Sequence, residues 1–245
     1  MSYAVGIPTR NREAMLARTL DALSTQTHSP DLIIIVDNND NPKTQDISNG
    51  IVRVACDYRT TGPDQGCQTA LKYAARADIP VFVKWDDDLI PELTCLRKLV
   101  GQVFDKKAVA CGGMYPKPDD DKRSSDKGAA DGNDRHLQMF RWEGGHKLIE
   151  RKHLHSCYAM DIYTALLVGG FCVDYSRFGQ RGETDLSLRL AKEGRLLVDT
   201  SAVAEHHFAP GGRRFAEMEM MVLANRDNDL FVRRMIEHKI DVENW

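Results

Sequence analysis

Residues 3–40, YAVGIPTRNREAMLARTLDALSTQTHSPDLIIIVDNND, decide the fold, because two apolar runs flank an amphipathic segment. The first run, YAVGIP, is predicted to be a short buried strand that stops at Pro8. Leu16, Leu20 and Leu23 recur at helical spacing, which predicts an amphipathic helix. The second run, DLIIIV, is apolar on both faces, as central strands of parallel sheets are. The stretch therefore predicts a strand, a helix and a second strand.

The same alternation continues to about residue 115. Strands that alternate with helices predict a doubly wound α/β fold, in which helices cover both faces of a mainly parallel sheet. Pro91 is expected in the first turn of its helix, where a proline is tolerated. The predicted strands are IVRVAC (51–56), IPVFVKW (79–85) and AVACGGMY (108–115), and the predicted helices are DQGCQTALKYAARA (64–77) and IPELTCLRKLVGQVF (90–104).

The pattern is less regular after residue 115. Residues 116–135 have no large apolar side chain and are rich in charge, Pro, Gly and Ser, so they are predicted to form a loop. Its triplet Asp119–Asp121 follows no strand and is interpreted as a solvated charge run. No linker divides the chain, so one domain, 1–245, is expected. Further predictions are a helix at GETDLSLRLAKEG (182–194) closed by Gly194, a short strand at RLLVD (195–199) and a helix from Phe215 to about Lys239.

Composition argues against several classes of protein. The formal net charge is −3, so the chain has no general preference for nucleic acid or anionic membranes. The six cysteines have no Cys-x-x-Cys spacing, which argues against a zinc ribbon or a redox pair and favours reduced thiols. No apolar stretch resembles a signal peptide or approaches the ~20 residues of a membrane helix. A cytoplasmic protein without a transmembrane segment is expected.

Polar clusters follow three predicted strands, at PTRNR (8–12), VDNND (36–40) and WDDDL (85–89). In doubly wound sheets ligands bind at the carboxyl ends of the strands, so the three clusters are expected to meet in one crevice. The adjacent carboxylates of the last cluster repel one another unless solvent or a cation relieves the repulsion. The acidic triplet is therefore a candidate metal site, and a solvated turn is the alternative.

Three features together resemble a family 2 type glycosyltransferase with the GT-A fold. They are residues 5–40, the stretch VKWDDDLIP (83–91), and GGFCVDYSRFGQRGETDLSLRLAKEG (169–194) followed by AVAEHH (202–207). The resemblance covers about residues 3–115 and 165–210. It implies a nucleotide-sugar-binding half (1–115), a smaller acceptor-side half of strands and loops (116–210) and a C-terminal helical segment (211–245).

The resemblance implies a nucleotide-sugar donor and a Mn²⁺ or Mg²⁺ cofactor. Asp86, Asp87 and Asp88 match the DXD element of the family. Asp88 would bind the metal, and Asp86 would lie near the ribose and the water shell of the metal. Such ions prefer hard oxygen ligands, and they neutralise the charge that develops on a diphosphate leaving group.

Other residues are assigned to the donor by the same resemblance. Asp37 and Asn38 match the position that holds the nucleotide base, and a carboxylate there can accept the imide N–H of uracil. An Asx-turn that closes the strand is the alternative. Relatives use the loop that contains Pro8, Thr9, Arg10 and Arg12 around the base and the diphosphate. Arginine suits a phosphate, but the sequence does not distinguish Arg10 from Arg12.

The resemblance also proposes the catalytic base. Aligning the Asp185-Leu186 pair with the family pattern places Glu183 at the base position, with Asp185 as the second candidate. Gly182 stands where the family has its first acid, which is a departure from the pattern. His206 and His207 match a terminal histidine that can bind the metal or the diphosphate. Trp142 and the glycines 144–145 are candidates for the acceptor side.

These expectations combine into one leading function and several alternatives. The leading function is metal-dependent, inverting transfer of a sugar from a nucleotide-sugar, with a UDP-sugar favoured, to a hydroxyl acceptor such as a glycan or a lipid-linked molecule. An acceptor in DNA with hydroxymethylated bases is one alternative, and a local basic patch would serve it. Nucleotidyl transfer is a second alternative, although the first strand lacks the glycine-rich loop expected after it. A non-catalytic nucleotide-sugar-binding protein is the third.

Overall fold

The computed structural model describes most of the chain. The described residues are 1–43, 45–48, 50–56, 62–115, 148–154, 157–179, 181–207 and 217–241, with the backbone alone for 45–48 and 217. The predicted loop 116–135 with Asp119–Asp121, the residue Trp142 and the glycines 144–145 lie outside these ranges. No helix among the described residues is long and apolar enough to cross a membrane.

Strands and helices alternate through the first half of the chain, as the sequence predicts. The elements are β1 (Tyr3–Thr9), α1 (Glu13–Ser24), β2 (Leu32–Asp37), β3 (Gln45–Ser48), β4 (Ile51–Ala55), α2 (Pro63–Arg76), β5 (Val81–Lys84), β6 (Leu89–Pro91), α3 (Cys95–Phe104) and β7 (Ala110–Met114). The second half contributes β8 (Leu148–Arg151), β9 (Tyr158–Asp161), α4 (Ile162–Leu167), α5 (Gly182–Leu190), β10 (Leu196–His206) and α6 (Glu217–Glu237).

The ten strands of the described residues belong to one sheet, in the order β3-β4-β2-β1-β5-β9-β7-β10-β6, with β8 also paired to β10. Strands β4, β2, β1 and β5 are parallel to their neighbours in that group, and β7 is parallel to β10. Strand β9 runs antiparallel between β5 and β7. Because β1, β2 and β5 are adjacent and parallel, their carboxyl ends lie side by side, and the predicted α/β fold is confirmed.

Two apolar layers cover the two faces of the sheet. Successive side chains of a strand point to opposite faces. Val5 and Ile35 therefore enter a layer with residues of α1 and α3, whereas Ala4 and Ile34 enter a layer with residues of α2 and α5. Strands buried on both faces carry apolar residues at every position, which explains the unbroken run LIIIV in β2.

The first helix after the acidic triplet begins later than predicted. Pro91 lies in β6 rather than in the first turn of α3, and its register partner in β10 is Ala204. The N–H of Glu92 donates to the carbonyl of Val203 at 2.9 Å, which continues the pairing. Strand β6 is the last strand in the sheet order, and a proline is tolerated in such an edge strand. Helix α3 therefore begins at Cys95.

Three further boundaries differ from the sequence-based predictions. Strand β1 continues through Pro8 to Thr9, because Pro8 and Thr9 pair with β2. Helix α5 ends at Leu190, and a turn separates it from Gly194. Strand β10 has 11 residues instead of five, since it pairs first with β7 and then, past an irregularity after Val198, with β6. This extension carries His206 to the end of the strand, beside the acidic triplet.

Candidate active site

The three polar clusters meet at the carboxyl ends of β1, β2 and β5. The hydroxyl of Thr9 donates to Oδ2 of Asp87 at 2.6 Å, which joins the loop after β1 to the loop after β5. The N–H of Asn38 donates to the carbonyl of Thr9 at 2.9 Å, which adds the loop after β2. The three clusters therefore meet, as expected, and the site that they form is called the cleft.

Arg12 binds two of the three adjacent aspartates. Its Nη1 lies 2.8 Å from Oδ1 of Asp87 and 2.9 Å from Oδ2 of Asp88. Asp87 is buried, and burial raises the pKa of its carboxyl group, although Thr9 and Arg12 act in the opposite direction. The main-chain oxygen of Asp87 also accepts a bond from the Thr19 hydroxyl at 2.8 Å. Asp87 therefore anchors the β1–α1 loop and the first turns of α1 to the triplet.

Asp88 faces His206. Their Oδ1 and Nε2 atoms are 3.3 Å apart, because the pairing of β10 with β6 sets His206 opposite Leu89. The main chain of His207 also reaches Asp88, through an N–H···O bond of 2.9 Å to its carbonyl. The ring of His207 instead lies 3.6 Å from a carboxylate oxygen of Glu205. The structure thus separates two histidines that the sequence could not distinguish.

The donor atoms of Asp88 and His206 fit a divalent cation. A carboxylate oxygen and an imidazole nitrogen are both ligands of Mn²⁺, and the oxygen suits Mg²⁺. Among the residues that the structure describes, no group of three or more His, Cys, Asp or Glu side chains forms a complete metal site. An ion at this place would therefore need oxygen atoms from a ligand or from water to fill its coordination shell.

Asp86 and Glu183 are joined by Lys84, which was not among the predicted site residues. The Lys84 ammonium lies 2.7 Å from Oδ1 of Asp86 and 2.5 Å from Oε1 of Glu183. The sequence does offer a signal, because Lys84 ends an otherwise apolar strand. In the structure every residue of this strand is buried. The side chains of Asp86 and Glu183 are 23% and 26% exposed, whereas that of Lys84 is 1% exposed. Two carboxylates therefore reach the cleft, and the ammonium lies beneath them.

Asp64 occupies the space beside Gly182, the position at which the sequence departs from the family pattern. An added Cβ at position 182 would lie 2.0 Å from Oδ1 of Asp64. Asp64 belongs to the first turn of α2 and is buried. Its carboxylate thus lies against the first residue of α5, next to Glu183. The sequence contained no signal for this contact, because the two positions are far apart in the chain.

Asp185 is enclosed by other side chains. Asp185 is fully buried. Its carboxylate oxygens accept bonds from Nε of Arg189 at 2.5 Å, from the hydroxyl of Tyr175 at 3.0 Å and from Nε of Arg234. Through Arg234 it connects α5 to α6. These contacts are typical of a structural anion, whereas Glu183 extends toward the cleft.

The end of β2 forms a second polar cluster. Oδ1 of Asp37 accepts the N–H of Asn39 at 2.9 Å, and Oδ2 accepts the N–H of Lys43 at 3.0 Å. Nε of Arg53 lies 3.4 Å from the same Oδ2. Asp37 is fully buried and makes the Asx-type contact that was the alternative interpretation. Both roles are compatible with its position, and base binding by Asp37 stays a prediction.

Asn38 offers a buried acceptor at the same place. The residue is 6% exposed, and its Oδ1 has no hydrogen-bond partner among the residues that the structure describes. A buried carbonyl oxygen without a donor is costly, so such atoms often mark the position of a missing partner. Arg10, in contrast, lies at the rim of the cleft, where its Nη2 is 3.3 Å from Oδ1 of Asp40.

Comparison with protein families gives one match. The model described as Glycosyl transferase family 2 matches residues 4–160, which is more than half of the chain. The matched region contains the acidic triplet and both polar loops of the cleft. A search of curated proteins finds no significant match.

Solved structures share the fold at low sequence identity. The mannosyltransferase PcManGT from Pyrobaculum calidifontis, in complex with GDP-Man and Mn²⁺, has a TM-score of 0.56 and 16% identity, over 86% of this chain and 58% of its own. S. aureus TarS has a TM-score of 0.61 and 13% identity, over 96% of this chain and 43% of its own. GalNAc-T7 with UDP, GalNAc and Mn²⁺ has a TM-score of 0.67 and 12% identity, over 94% of this chain and 48% of its own.

The chain spans between 43% and 58% of the length of these three proteins. The GT-A fold that the resemblance implies is confirmed by these similarities together with the family match.

Proposed function

The chain belongs to glycosyl transferase family 2, and on this premise we propose that it transfers a sugar from a nucleotide-sugar to a hydroxyl acceptor. The observation that carries the proposal is the convergence of the acidic triplet with His206 and Glu183 in one cleft. These residues come from the β5–β6 turn, the end of β10 and the start of α5. The cleft thus holds a metal-binding pair and a separate carboxylate, which are the groups that this reaction needs.

We assign the metal to Asp88 and His206, with Mn²⁺ or Mg²⁺ as the ion. When bound, the ion would neutralise negative charge on the diphosphate leaving group. Asp86 is held by Lys84 and faces the same cleft, which supports a donor-side role near the ribose. The ring of His207 is directed to Glu205, so we do not include it in the metal pair. Mn²⁺ in the GDP-Man and UDP complexes of structural neighbours supports a divalent ion.

Arg12 is the arginine that we assign to the diphosphate. Its guanidinium lies at Asp87 and Asp88, next to the metal pair, whereas Arg10 lies at the rim with Asp40. Guanidinium groups bind phosphate through several N–H donors at once. The donor is proposed to be a UDP-sugar, because the carbonyl oxygen of Asn38 has no partner within the described part of the chain and can accept the imide N–H of uracil.

Glu183 is the proposed catalytic base. It would accept the proton of the acceptor hydroxyl while that oxygen attacks the anomeric carbon from the face opposite the diphosphate, which inverts the configuration. Asp185 is less suited to this role, because it is fully buried and its oxygens already accept bonds from Arg189, Arg234 and Tyr175. The partial exposure of Glu183 supports access by an acceptor.

No observation in the described residues favours DNA as the acceptor. The basic pairs Lys122-Arg123 and Arg213-Arg214 lie outside the described ranges. In the pair Arg233-Arg234, Arg234 is bound to Asp185. The family match supports sugar transfer over nucleotidyl transfer. A hydroxyl acceptor on a glycan or a lipid-linked molecule is therefore retained.

The first experiment measures thermal unfolding with UDP, GDP, CMP and TDP, each with and without Mn²⁺. A ligand present at 100 times its dissociation constant adds about 2.7 kcal/mol of stability, which gives a clear rise in Tm. We expect UDP to raise the Tm only with Mn²⁺, and we expect Asp88→Ala to abolish the rise. Asp105→Ala is the control, because Asp105 is an exposed partner of Lys107.

Two outcomes would contradict the proposal. If no nucleotide changes the Tm, the cleft does not bind a nucleotide-sugar. If UDP stabilises Asp88→Ala and the wild-type protein equally with Mn²⁺, the metal does not bind at the acidic triplet. A larger effect of GDP than of UDP would retain sugar transfer and change the donor.

A further inference from the structure

Lys84 is a buried cation that the proposed mechanism does not use. It is the last residue of β5, a strand that the sheet encloses between β1 and β9. A charged ammonium in such a place is rare, because removing it from water is costly unless carboxylates pair with it. Asp86 and Glu183 supply this pairing at 2.7 Å and 2.5 Å. Burial lowers the pKa of Lys84, but the two carboxylates outweigh it and hold the pKa above its ordinary value.

The two partners of Lys84 come from distant parts of the chain. Asp86 lies in the turn directly after β5, whereas Glu183 lies in the first turn of α5, 99 residues from Lys84. The main chain of Glu183 is held separately, because its carbonyl accepts a bond from the Tyr158 hydroxyl at 3.2 Å. Tyr158 is the register partner of Lys84 in β9. Two paired residues of neighbouring strands therefore hold Glu183: Lys84 binds its side chain and Tyr158 binds its main chain.

We propose that Lys84 is a positioning residue that links the catalytic base Glu183 to the donor-side aspartate Asp86. This inference rests on the proposed function and extends it. The link places the base at a fixed distance from the donor-binding acids before either substrate arrives. A preorganised distance matters, because small displacements of a reacting group reduce the rate strongly.

Lys84 acts through Glu183 and remains protonated throughout the reaction. The acceptor O–H bond breaks and its proton moves to the Glu183 carboxylate, while the acceptor oxygen forms a bond to the anomeric carbon. The bond between that carbon and the diphosphate oxygen breaks, and its electron pair leaves with the diphosphate. Lys84 donates no proton in this reaction. Its ammonium holds the orientation of the carboxylate.

The kinetic test compares Lys84→Met with wild-type protein, using release of UDP from a UDP-sugar with Mn²⁺ and water as the acceptor. We expect a fall in kcat of about 100-fold, within the range of losses when general-base catalysis fails. The KM for the donor should stay within about threefold of the wild-type value. The substitution removes no contact that binds the donor equally well in the ground state and in the transition state. Lys84→Arg retains the charge and should retain a larger kcat than Lys84→Met.

A double variant distinguishes positioning from a general structural effect. Because Lys84 acts through Glu183, adding Lys84→Met to Glu183→Gln should lower kcat no further than Glu183→Gln alone. If the kcat losses of the two single variants multiply in the double variant, the inference is overturned. A wild-type kcat in Lys84→Met would also overturn it. Lys106→Met is the matched control. Lys106 pairs with Asp161, the partner of Val81 at the opposite end of β5, and its loss should leave kcat unchanged.

A stability measurement tests the link without any turnover. In a double-mutant cycle on the free energy of unfolding, Lys84→Met and Glu183→Gln should be strongly non-additive, because the two side chains are in direct contact. Additive effects would overturn the link, whatever the kinetics. If wild-type protein releases no nucleotide from any donor, the proposed function fails. A non-additive cycle would then still establish the link as a structural contact.

Discussion

Two cationic side chains divide the acidic triplet between them. Lys84, inside β5, binds Asp86, and Arg12, from the loop after β1, binds Asp87 and Asp88. Each adjacent carboxylate therefore has a counter-charge, so their mutual repulsion does not oppose the turn. One cation ends a strand and the other lies in a loop after a different strand, so the triplet is arranged by the tertiary structure before any ligand binds.

A matched pair of carboxylates tests the assignment of the base at the residue scale. Glu183→Gln should lower turnover by about 10²–10⁴-fold, the usual contribution of a general base. Asp185→Asn should instead destabilise the fold by about 3 kcal/mol, because the buried Arg189 loses its carboxylate partner. Both variants are measured by chemical denaturation and, at a temperature where each is folded, by nucleotide release.

The assignment would be reversed by the opposite pattern. If Asp185→Asn unfolds like wild-type protein but loses turnover, and Glu183→Gln keeps its turnover, then Asp185 is the base. The two side chains differ by one methylene group, so the comparison isolates their surroundings.

At the scale of the element, α5 is a helix that is buried on almost every side. Its apolar residues Leu186 and Leu190 belong to the layer that α2 also covers. Asp185, Ser187 and Arg189 are buried and have hydrogen-bond partners: the Ser187 hydroxyl, for example, contacts both the N–H and the carbonyl of Leu154. Satisfied polar groups on a buried helix hold it in one position. This rigidity keeps Glu183 at the edge of the cleft.

Two glycine-to-alanine variants test how tightly the start of α5 is packed. Gly182→Ala should destabilise the protein by about 1–3 kcal/mol, as overpacking does, because its Cβ would lie 2.0 Å from Oδ1 of Asp64. Gly101→Ala in α3 is the control, since its Cβ would meet only the sulfur of Met1 at 3.9 Å. That change should stabilise the helix by about 0.5–1 kcal/mol. Denaturant unfolding measures both.

An equal, small effect of the two alanines would show that Asp64 moves away at little cost. The contact between Asp64 and Gly182 would then be loose rather than tightly packed. Asp64→Asn combined with Gly182→Ala separates charge from space, because the amide keeps the size of the carboxylate.

At the scale of the whole molecule, the acidic triplet follows a strand in the interior of the sheet. Strand β5 has β1 on one side and β9 on the other, and helices cover both faces. Strand β6 ends the sheet order and pairs with β10. The acidic triplet connects these two strands, so one of its ends is attached to the centre of the fold and the other to an edge.

Hydrogen exchange measured by mass spectrometry should reflect this difference. Peptides that cover β1 and β5 should exchange only at the free energy of global unfolding, because opening them breaks the core. Peptides that cover β6 should exchange faster, through local opening of the edge. UDP with Mn²⁺ should slow exchange in residues 85–89 more than in β1. Equal protection of β5 and β6 in the free protein would contradict this order of stability.

The sequence by itself determined the fold class and the main candidates of the site. Runs such as LIIIV and the leucines of α1 show their period within a few residues, so local pattern is enough to place β2 and α1. Thr9 ends β1, Arg12 lies in the loop after it, and the acidic triplet lies in the turn after β5. Parallel neighbouring strands bring such ends together. The chain positions therefore predicted that these residues would meet, and they do.

Only the tertiary structure decided the contacts between distant segments. The pairing of β10 with β6 brings His206, not the ring of His207, to Asp88, and the same pairing retains Pro91 in a strand. Lys84 and Glu183 are 99 residues apart. Their contact depends on how α5 packs against the sheet, which no local periodicity records. For this reason the sequence indicated which carboxylates are candidates for the site, and the three-dimensional packing decided which cation holds each of them.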